Sequence, residues 1–191
     1  MTNRGLLALA GLTIVAFVAS PAGAAISVLG NGISKSCYAA AEFGGDPRDG
    51  IATCTDALNL TPLSVRDRAA TLVNRGILRS RADDSEGALA DYNTGLSLDA
   101  SLGEGYVDRG ATEIVLKNYD VALADINRGI ALKANKLEIA YYDRGIVDEA
   151  MGNVKNAYND YKMAVELEPD FALANEQLMR FKVVRRRTDG A

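Results

Sequence analysis

The sequence contains no histidine and no tryptophan among its 191 residues, and it has only 4 prolines and 2 cysteines. Without histidine the chain cannot build Ser-His-Asp or Cys-His catalytic groups, and it lacks the usual zinc ligand sets. Aromatic residues make up 6% of the chain, and strand-rich folds usually need more aromatic and β-branched residues, so the composition favours helices. These absences argue against an enzyme, and they predict no cofactor and no metal.

The first 24 residues have the organisation of a secretory signal peptide. Arg4 precedes the apolar run GLLALAGLTIVAFVAS, and Ala22-Gly23-Ala24 matches the small-residue cleavage pattern, which predicts a cut after Ala24. The alternative is an uncleaved membrane anchor, but the apolar run of about 14 residues is shorter than the roughly 20 that cross a bilayer. We therefore expect a periplasmic or secreted protein without stable membrane insertion.

The charge balance gives no sign of a nucleic-acid partner. Cleavage after Ala24 would remove one of the 21 basic residues and none of the 25 acidic ones, so the mature chain carries net negative charge. Binding to nucleic acid usually needs a basic surface.

A repeat follows the leader. Arg-Gly recurs with its glycines 34 and 35 residues apart, and in each copy an alanine, an aspartate and a small residue stand 12, 15 and 19 residues after the glycine. A fixed period in this range predicts stacked helical hairpins, each burying its apolar face against its neighbours. The aligned residues are Gly76, Ala88, Asp91 and Gly95; Gly110, Ala122, Asp125 and Gly129; and Gly145, Ala157, Asp160 and Ala164.

These positions resemble the tetratricopeptide repeat, a helix-turn-helix unit of about 34 residues. The resemblance implies an all-α, right-handed solenoid of helical hairpins with capping helices, in an exported protein of bacterial type. It assigns residues 25–62 to a tail and a degenerate hairpin, 63–171 to three repeats, and 172–191 to a capping helix and a basic tail. No tryptophan fills the large position of the first helix, and Arg79, Glu113 and Asp148 stand where tyrosine is common.

Cys37 and Cys54 are predicted to form a disulfide within the degenerate hairpin, because alignment with the later repeats places them on facing sides of two helices. Such a bridge contributes about 3 kcal/mol, and it would hold a short first helix, Ser36 to Phe43. Two alternatives are buried free thiols and a redox pair, although the spacing is not C-x-x-C.

The C-terminal region is predicted to continue as one helix from Phe171 to Arg187, which would cap the array. The last residues, Arg185 to Ala191, are basic at their start. They form either a solvated tail or a contact with an acidic membrane surface or partner.

Each arginine before a repeat glycine is followed 16 residues later by the aligned aspartate, which predicts a salt bridge in every hairpin. The alternative is that these arginines, Arg75, Arg109 and Arg144, capture an anion. Gly110 is expected to face Ala122, since a small residue lets the two helices of a hairpin approach closely.

The resemblance also implies a groove, lined by the first helices of successive repeats, that holds a peptide. By phase the groove residues are Val73, Asn74, Ile77, Val107, Asp108, Ala111, Ile114, Tyr142, Asp143, Ile146 and Glu149. Some of them are expected only to pack against neighbouring helices. Because Asp108 and Asp143 make this surface acidic, a neutral, apolar or mildly basic segment suits it better than a terminal carboxylate.

The leading function hypothesis is a non-catalytic scaffold or adaptor that binds one protein or peptide. The alternatives are a structural protein that associates with copies of itself, and an enzyme, for which no site signature is present.

Overall fold

The computed structural model describes residues 6–9, 24–28 and 32–184. Within these residues the chain forms helices almost throughout, with one short antiparallel pair of strands. The helices are α1 (Gly32–Phe43), α2 (Pro47–Leu60), α3 (Val65–Arg81), α4 (Ser85–Leu98), α5 (Gly103–Val115), α6 (Tyr119–Ala131), α7 (Leu137–Ala150), α8 (Val154–Leu167) and α9 (Ala172–Met179). The strands are β1 (Leu6–Leu9) and β2 (Phe181–Val184).

The helices pack as consecutive hairpins. Contacts are densest between α3 and α4, between α5 and α6, and between α7 and α8, and α1 pairs with α2 in the same way. The first helices of neighbouring repeats also touch directly, α3 with α5 and α5 with α7, which places them on the inner side of the array. The predicted all-α solenoid of helical hairpins is therefore confirmed.

The turn inside each repeat hairpin needs one residue in the left-handed region, seven positions after the repeat glycine. Asp83 has φ 61°, Lys117 has φ 63° and Gly152 has φ 81°. The chain reverses tightly at this residue, which brings the second helix back along the first. The repeat phase read from the sequence continues through the turns.

Gly110 lies where two helices meet. A Cβ at this position would come within 2.8 Å of Ile126 Cγ1 and 3.2 Å of the Ala122 carbonyl oxygen. Real Cβ atoms essentially never come within 3.0 Å of another heavy atom, so the approach to Ile126 alone excludes a side chain without a shift of that residue. The prediction that Gly110 faces Ala122 is confirmed, and the close approach of α5 to α6 offsets the propensity cost of roughly 1 kcal/mol for a helical glycine.

The first hairpin is closed by a disulfide between Cys37 on α1 and Cys54 on α2, with a Cα–Cα distance of 4.7 Å. Both cysteines are fully buried, in the same cluster as Ala69, Val73 and Leu78 of α3. Helix α1 begins at Gly32, four residues before the predicted start at Ser36. The bridge holds α1 against α2, and the shared core joins this irregular hairpin to the regular array.

The three predicted salt bridges are present, and each arginine donates twice to its aspartate. The N–O distances lie between 2.7 and 2.8 Å. The remaining guanidinium nitrogen donates to the second helix of the preceding hairpin; these bonds are Arg75 to Thr55, Arg109 to Asn93, and Arg144 to Asn127. Each arginine therefore fixes the register of its own hairpin and of the adjacent one.

The predicted C-terminal helix is wrong beyond Met179. Helix α9 ends there, and β2 follows with antiparallel pairing to β1, Phe181 opposite Leu9 and Val184 opposite Leu6. Val183 and Val184 are β-branched, and β-branched residues favour strands over helices. The basic tail from Arg185 to Ala191 lies outside the described residues, as does most of the predicted signal peptide apart from β1.

Candidate peptide-binding face

One residue of each first helix stands two positions before the repeat glycine and lies on the inner side of the array. These residues, Asn74 on α3, Asp108 on α5 and Asp143 on α7, are called the inner row below. All three are at least 96% buried, which is unusual for polar side chains that face away from the partner helix. Their burial has a specific cause at the two positions nearer the N-terminus.

A segment before α1, residues 24–28, lies against the inner row. Its side chains Ala25, Ile26 and Val28 are buried in the same cluster as Val73 and Ile77 of α3. The segment has no regular secondary structure. It therefore covers the inner surface of the first repeats with main chain and small apolar side chains.

Asn74 recognises the backbone of this segment. Its Oδ1 accepts a hydrogen bond from the Ile26 N–H at 2.8 Å, and its Nδ2 donates to the Ile26 carbonyl oxygen at 2.8 Å. One side-chain amide thus satisfies both polar groups of one peptide residue. This contact involves only main-chain atoms of the bound residue, so it does not depend on which side chain that residue carries.

Asp108 contacts the same segment two residues earlier, at Ala24. Its Oδ1 accepts a hydrogen bond from the Ala24 N–H at 3.2 Å, while its Oδ2 is buried without a hydrogen-bond partner among the described residues. Burial raises the pKa of Asp108 well above its ordinary value, and the negative charge of Asp143 raises it further. The Ala24 N–H and the charge of Arg81 oppose this increase only in part.

Asp143 continues the inner row on α7. It is 2% exposed, and burial raises the pKa of its carboxyl group to about 8. Within the described residues neither Asp108 nor Asp143 forms a salt bridge. A positively charged group placed beside Asp108 and Asp143 would therefore meet two carboxyl groups that no described residue pairs with in a salt bridge.

The other predicted groove residues divide into two groups. Ala111 is half-buried on α5. Val73, Ile77, Val107, Ile114 and Ile146 are buried in the hydrophobic clusters and serve packing. Val107 lies against the position of a Gly129 Cβ, and Val73 lies against Gly95 and Gly105.

Tyr142 and Glu149 also have internal partners. The Tyr142 ring packs against Tyr161 and Phe171 with centroid distances of 5.8 and 5.3 Å. Glu149 accepts a hydrogen bond from the Tyr161 hydroxyl at 3.0 Å and forms a salt bridge with Arg180 at 2.6 Å. The array uses both residues to attach α9 to its last hairpin.

The sequence pattern assigns Ala24 to the leader and residues 25–28 to a tail, and it does not predict that this segment lies on the inner face. The sequence offers one weak indication. Ile26 and Val28 are apolar, and a solvated tail would not need apolar residues. Pairing between this segment and α3 spans 48 residues of sequence, so no local pattern reports it.

A second depression, of about 460 Å³, opens between α6, α7 and α8. It surrounds the Arg144–Asp160 salt bridge, whose charges are already paired. Its lining residues are Leu123, Asn127, Arg144, Asp148, Asn153, Asn156, Asn159 and Asp160. Asp148 accepts a hydrogen bond from Asn153 there, and the other charged pair is already closed, so the depression is a weaker candidate than the inner row.

No described residues form a group of three metal-ligating side chains suited to a metal ion. None of the described helices is long and apolar enough to span a membrane.

Comparison with known proteins places this architecture among tetratricopeptide-repeat structures. The first TPR domain of human RPAP3 is 26% identical and superposes with a TM-score of 0.57, over 60% of this chain and 90% of that domain. A crystal structure of MamA is 22% identical with a TM-score of 0.61, over 78% of this chain and 81% of MamA. The Arabidopsis OM64 TPR domain is 21% identical with a TM-score of 0.58, over 61% and 96%.

Protein-family models give no match to the sequence, and curated protein sequences give none either. The fold is therefore TPR-like on structural grounds.

Proposed function

We propose that this chain is a non-catalytic interaction module that binds a protein or peptide segment on its inner face, in the periplasm or outside the cell. One observation carries the proposal: Asn74 already holds both backbone polar groups of Ile26, so the inner face has the chemistry to bind main chain. Ala25, Ile26 and Val28 are buried on the same face, so apolar contacts add to the binding of this segment.

The structural neighbours support this class of function. The first TPR of Spaghetti (RPAP3), 26% identical to this chain, has been solved bound to the HSP90 peptide SRMEEVD. That peptide is acidic at its C-terminal end. The inner face of the present chain carries Asp108 and Asp143, so complementarity favours a segment with a positive group instead.

Export rests on the leader pattern and on the cysteine pair. Residues 1–24 are organised as a cleavable signal peptide, and the bridged Cys37 and Cys54 suit an oxidising compartment. The absence of histidine from the whole sequence supports a non-enzymatic role.

Photo-crosslinking tests partner binding directly. A photoreactive amino acid placed at Ala111, half-buried on the inner helix α5, is expected to give adducts in cells. The same amino acid at Asn159, exposed on α8, is the matched control.

Equal adduct yields from Ala111 and Asn159 would contradict the proposal. Circular dichroism establishes that each variant is folded.

A further inference from the structure

The segment before α1 crosses the inner face in a defined direction. Ala24 contacts Asp108 on α5, and Ile26 contacts Asn74 on α3. The chain therefore runs opposite to the order of the repeats, and its N-terminal end points along the array toward α7 and Asp143. Both inner-row carboxylates lie at the end of the segment where an N-terminus would be.

Two buried carboxylates that form no salt bridge among the described residues are costly. The Oδ2 atom of Asp108 has no hydrogen-bond partner among the described residues, and Asp143 lies close enough to repel it. A buried anion is stable when it is paired and hydrogen-bonded, and otherwise it protonates. An ammonium group offers three N–H donors and a positive charge, which meets both requirements at once.

We propose that in the exported protein the inner face is occupied by the chain's own N-terminal segment starting at Ala25, and that its α-ammonium group pairs with Asp108 and Asp143. This inference rests on the proposed export of the chain. It makes the inner face self-occupied, so a partner segment must displace residues 25–28 to bind.

The ammonium group comes from leader removal. A processing peptidase hydrolyses the amide bond between the Ala24 carbonyl carbon and the Ala25 nitrogen; water supplies the hydroxyl of the new Ala24 carboxyl group and one hydrogen of the new amine. At neutral pH the Ala25 amine takes up a proton, and the Ala24 carboxyl group loses one. The Ala25 nitrogen is one residue, about 3.8 Å of Cα spacing, from the nitrogen that Asp108 contacts in the unprocessed chain.

The bonds to Asn74 survive this cleavage because they involve Ile26 alone. They hold the segment while the new terminus moves by one residue to Asp108. The tether to α1 at Gly32 is short, so the segment competes with a partner at an effective concentration on the order of millimolar.

The test uses the chain expressed with its own leader and purified from the envelope fraction of a bacterial host. Intact mass is expected to correspond to a chain that begins at Ala25. The purified protein is then labelled with an amine-acylating reagent at neutral pH, and acylation of the α-amine is followed by peptide mass spectrometry. The variants are Asp108→Asn/Asp143→Asn and, as the matched control, Asp56→Asn at an exposed site on α2.

We expect the α-amine of the unsubstituted protein and of Asp56→Asn to be acylated at least about tenfold more slowly than that of the double variant, because one pKa unit changes the neutral fraction tenfold. Hydrogen exchange at the Ile26 amide is expected to be slow in the unsubstituted protein and fast in Asn74→Ala. A chain that begins at another residue, or an α-amine that reacts equally fast in all variants, would overturn the inference.

The crosslink from Ala111 separates the two proposals. If the α-amine is unprotected and Ala111 adducts still form, the ammonium pairing is wrong and partner binding stands. If the α-amine is protected and no Ala111 adduct forms even in the double variant, the ammonium pairing stands and partner binding is wrong.

Discussion

Two rows of polar residues lie side by side on the same three helices, and their polar groups are satisfied in different ways. The arginine row, Arg75, Arg109 and Arg144, precedes each repeat glycine by one position, and the inner row precedes it by two. Neighbouring residues on a helix point about 100° apart. One row therefore faces the second helix of its hairpin, and the other faces the inner side of the array.

The difference between the rows lies in how their charges are satisfied. Every member of the arginine row makes a two-pronged bond to an aspartate and a third bond to the preceding hairpin. The hydrogen bonds to Asp125 and Asp160 raise the pKa values of Arg109 and Arg144. The carboxyl groups of the inner row, in contrast, form no salt bridge among the described residues, and the charge of Arg81 lowers the pKa of Asp108 only in part.

A fully paired row is structural, because its bonds close within the fold. Buried carboxyl groups without a salt bridge are candidates for contact with a group from outside the array. Four measurements test this contrast, and they are taken from the largest expected effect to the smallest.

The stability of the unprocessed chain is expected to fall as pH rises from about 4 to about 8. Asp143 has a folded pKa of about 8 against an ordinary value of 3.8, so in this range it keeps its proton in the fold and loses it on unfolding. Asp143 alone should lower the free energy of unfolding by up to about 1.4 kcal/mol per pH unit, and Asp108, whose pKa is also raised, should act in the same direction. Urea unfolding at a series of pH values measures this slope.

Asp143→Asn is expected to reduce that slope and to leave the part that Asp108 contributes, whereas Asp56→Asn on the exposed side of α2 is expected to leave it unchanged. Processing at Ala25 is expected to flatten the slope as well, since an ammonium group would favour the ionised carboxylate. An identical slope in Asp143→Asn and the unsubstituted chain would show that Asp143 does not titrate abnormally.

Asp125→Ala is expected to lower the free energy of unfolding by about 2 kcal/mol, because it leaves the half-buried guanidinium of Arg109 without its carboxylate. Urea unfolding provides the measurement, with Asp56→Ala as the exposed control. The double variant Arg109→Leu/Asp125→Leu is expected to be less destabilised than the sum of its single changes. Simple additivity would mean that the pair is not coupled.

Asn93→Ala is expected to cost about 1 kcal/mol or less, because Arg109 loses one hydrogen bond of 2.7 Å to the preceding hairpin while it keeps Asp125. Thermal unfolding of Asn93→Ala is compared with that of Thr94→Ala, an exposed neighbour on the same helix. An equal change in both variants would show that the bond between hairpins does not contribute to stability.

Tyr141→Leu is expected to cost about 0.5 kcal/mol, since the Arg144 guanidinium lies 5.1 Å from the Tyr141 ring centroid and loses that cation–π contact. The first repeat has Leu72 at the aligned position, so leucine fits this site sterically. Urea unfolding at low and high salt is the measurement. A loss much above 1 kcal/mol would show that Tyr141 acts mainly through packing.

The repeat could be predicted from the sequence because its information is local and periodic. The spacing of Gly76, Gly110 and Gly145 sets the hairpin length, and the aspartates 16 residues after the arginines fall on the facing helix for the same reason. The cysteine pair follows from that phase, since Cys37 and Cys54 occupy aligned positions of a shorter hairpin.

The C-terminal end could not be read in the same way. The residues after Met179 have an apolar pattern that suits a helix, and the strand that they form depends on Leu6–Leu9, far away in sequence. The roles of Tyr142 and Glu149 were also set by distant partners, Phe171 and Arg180, that arrive only when α9 folds back on the last hairpin.

The sequence by itself determined the hairpins, their register and the paired charges that hold them, because each of these depends on residues within one or two repeats. Only the tertiary structure decided what covers the inner face. The contacts of Ala24 with Asp108 and of Ile26 with Asn74 join residues 84 and 48 positions apart. No periodicity links such positions, and they meet because the folded array offers buried polar groups that a passing main chain can satisfy.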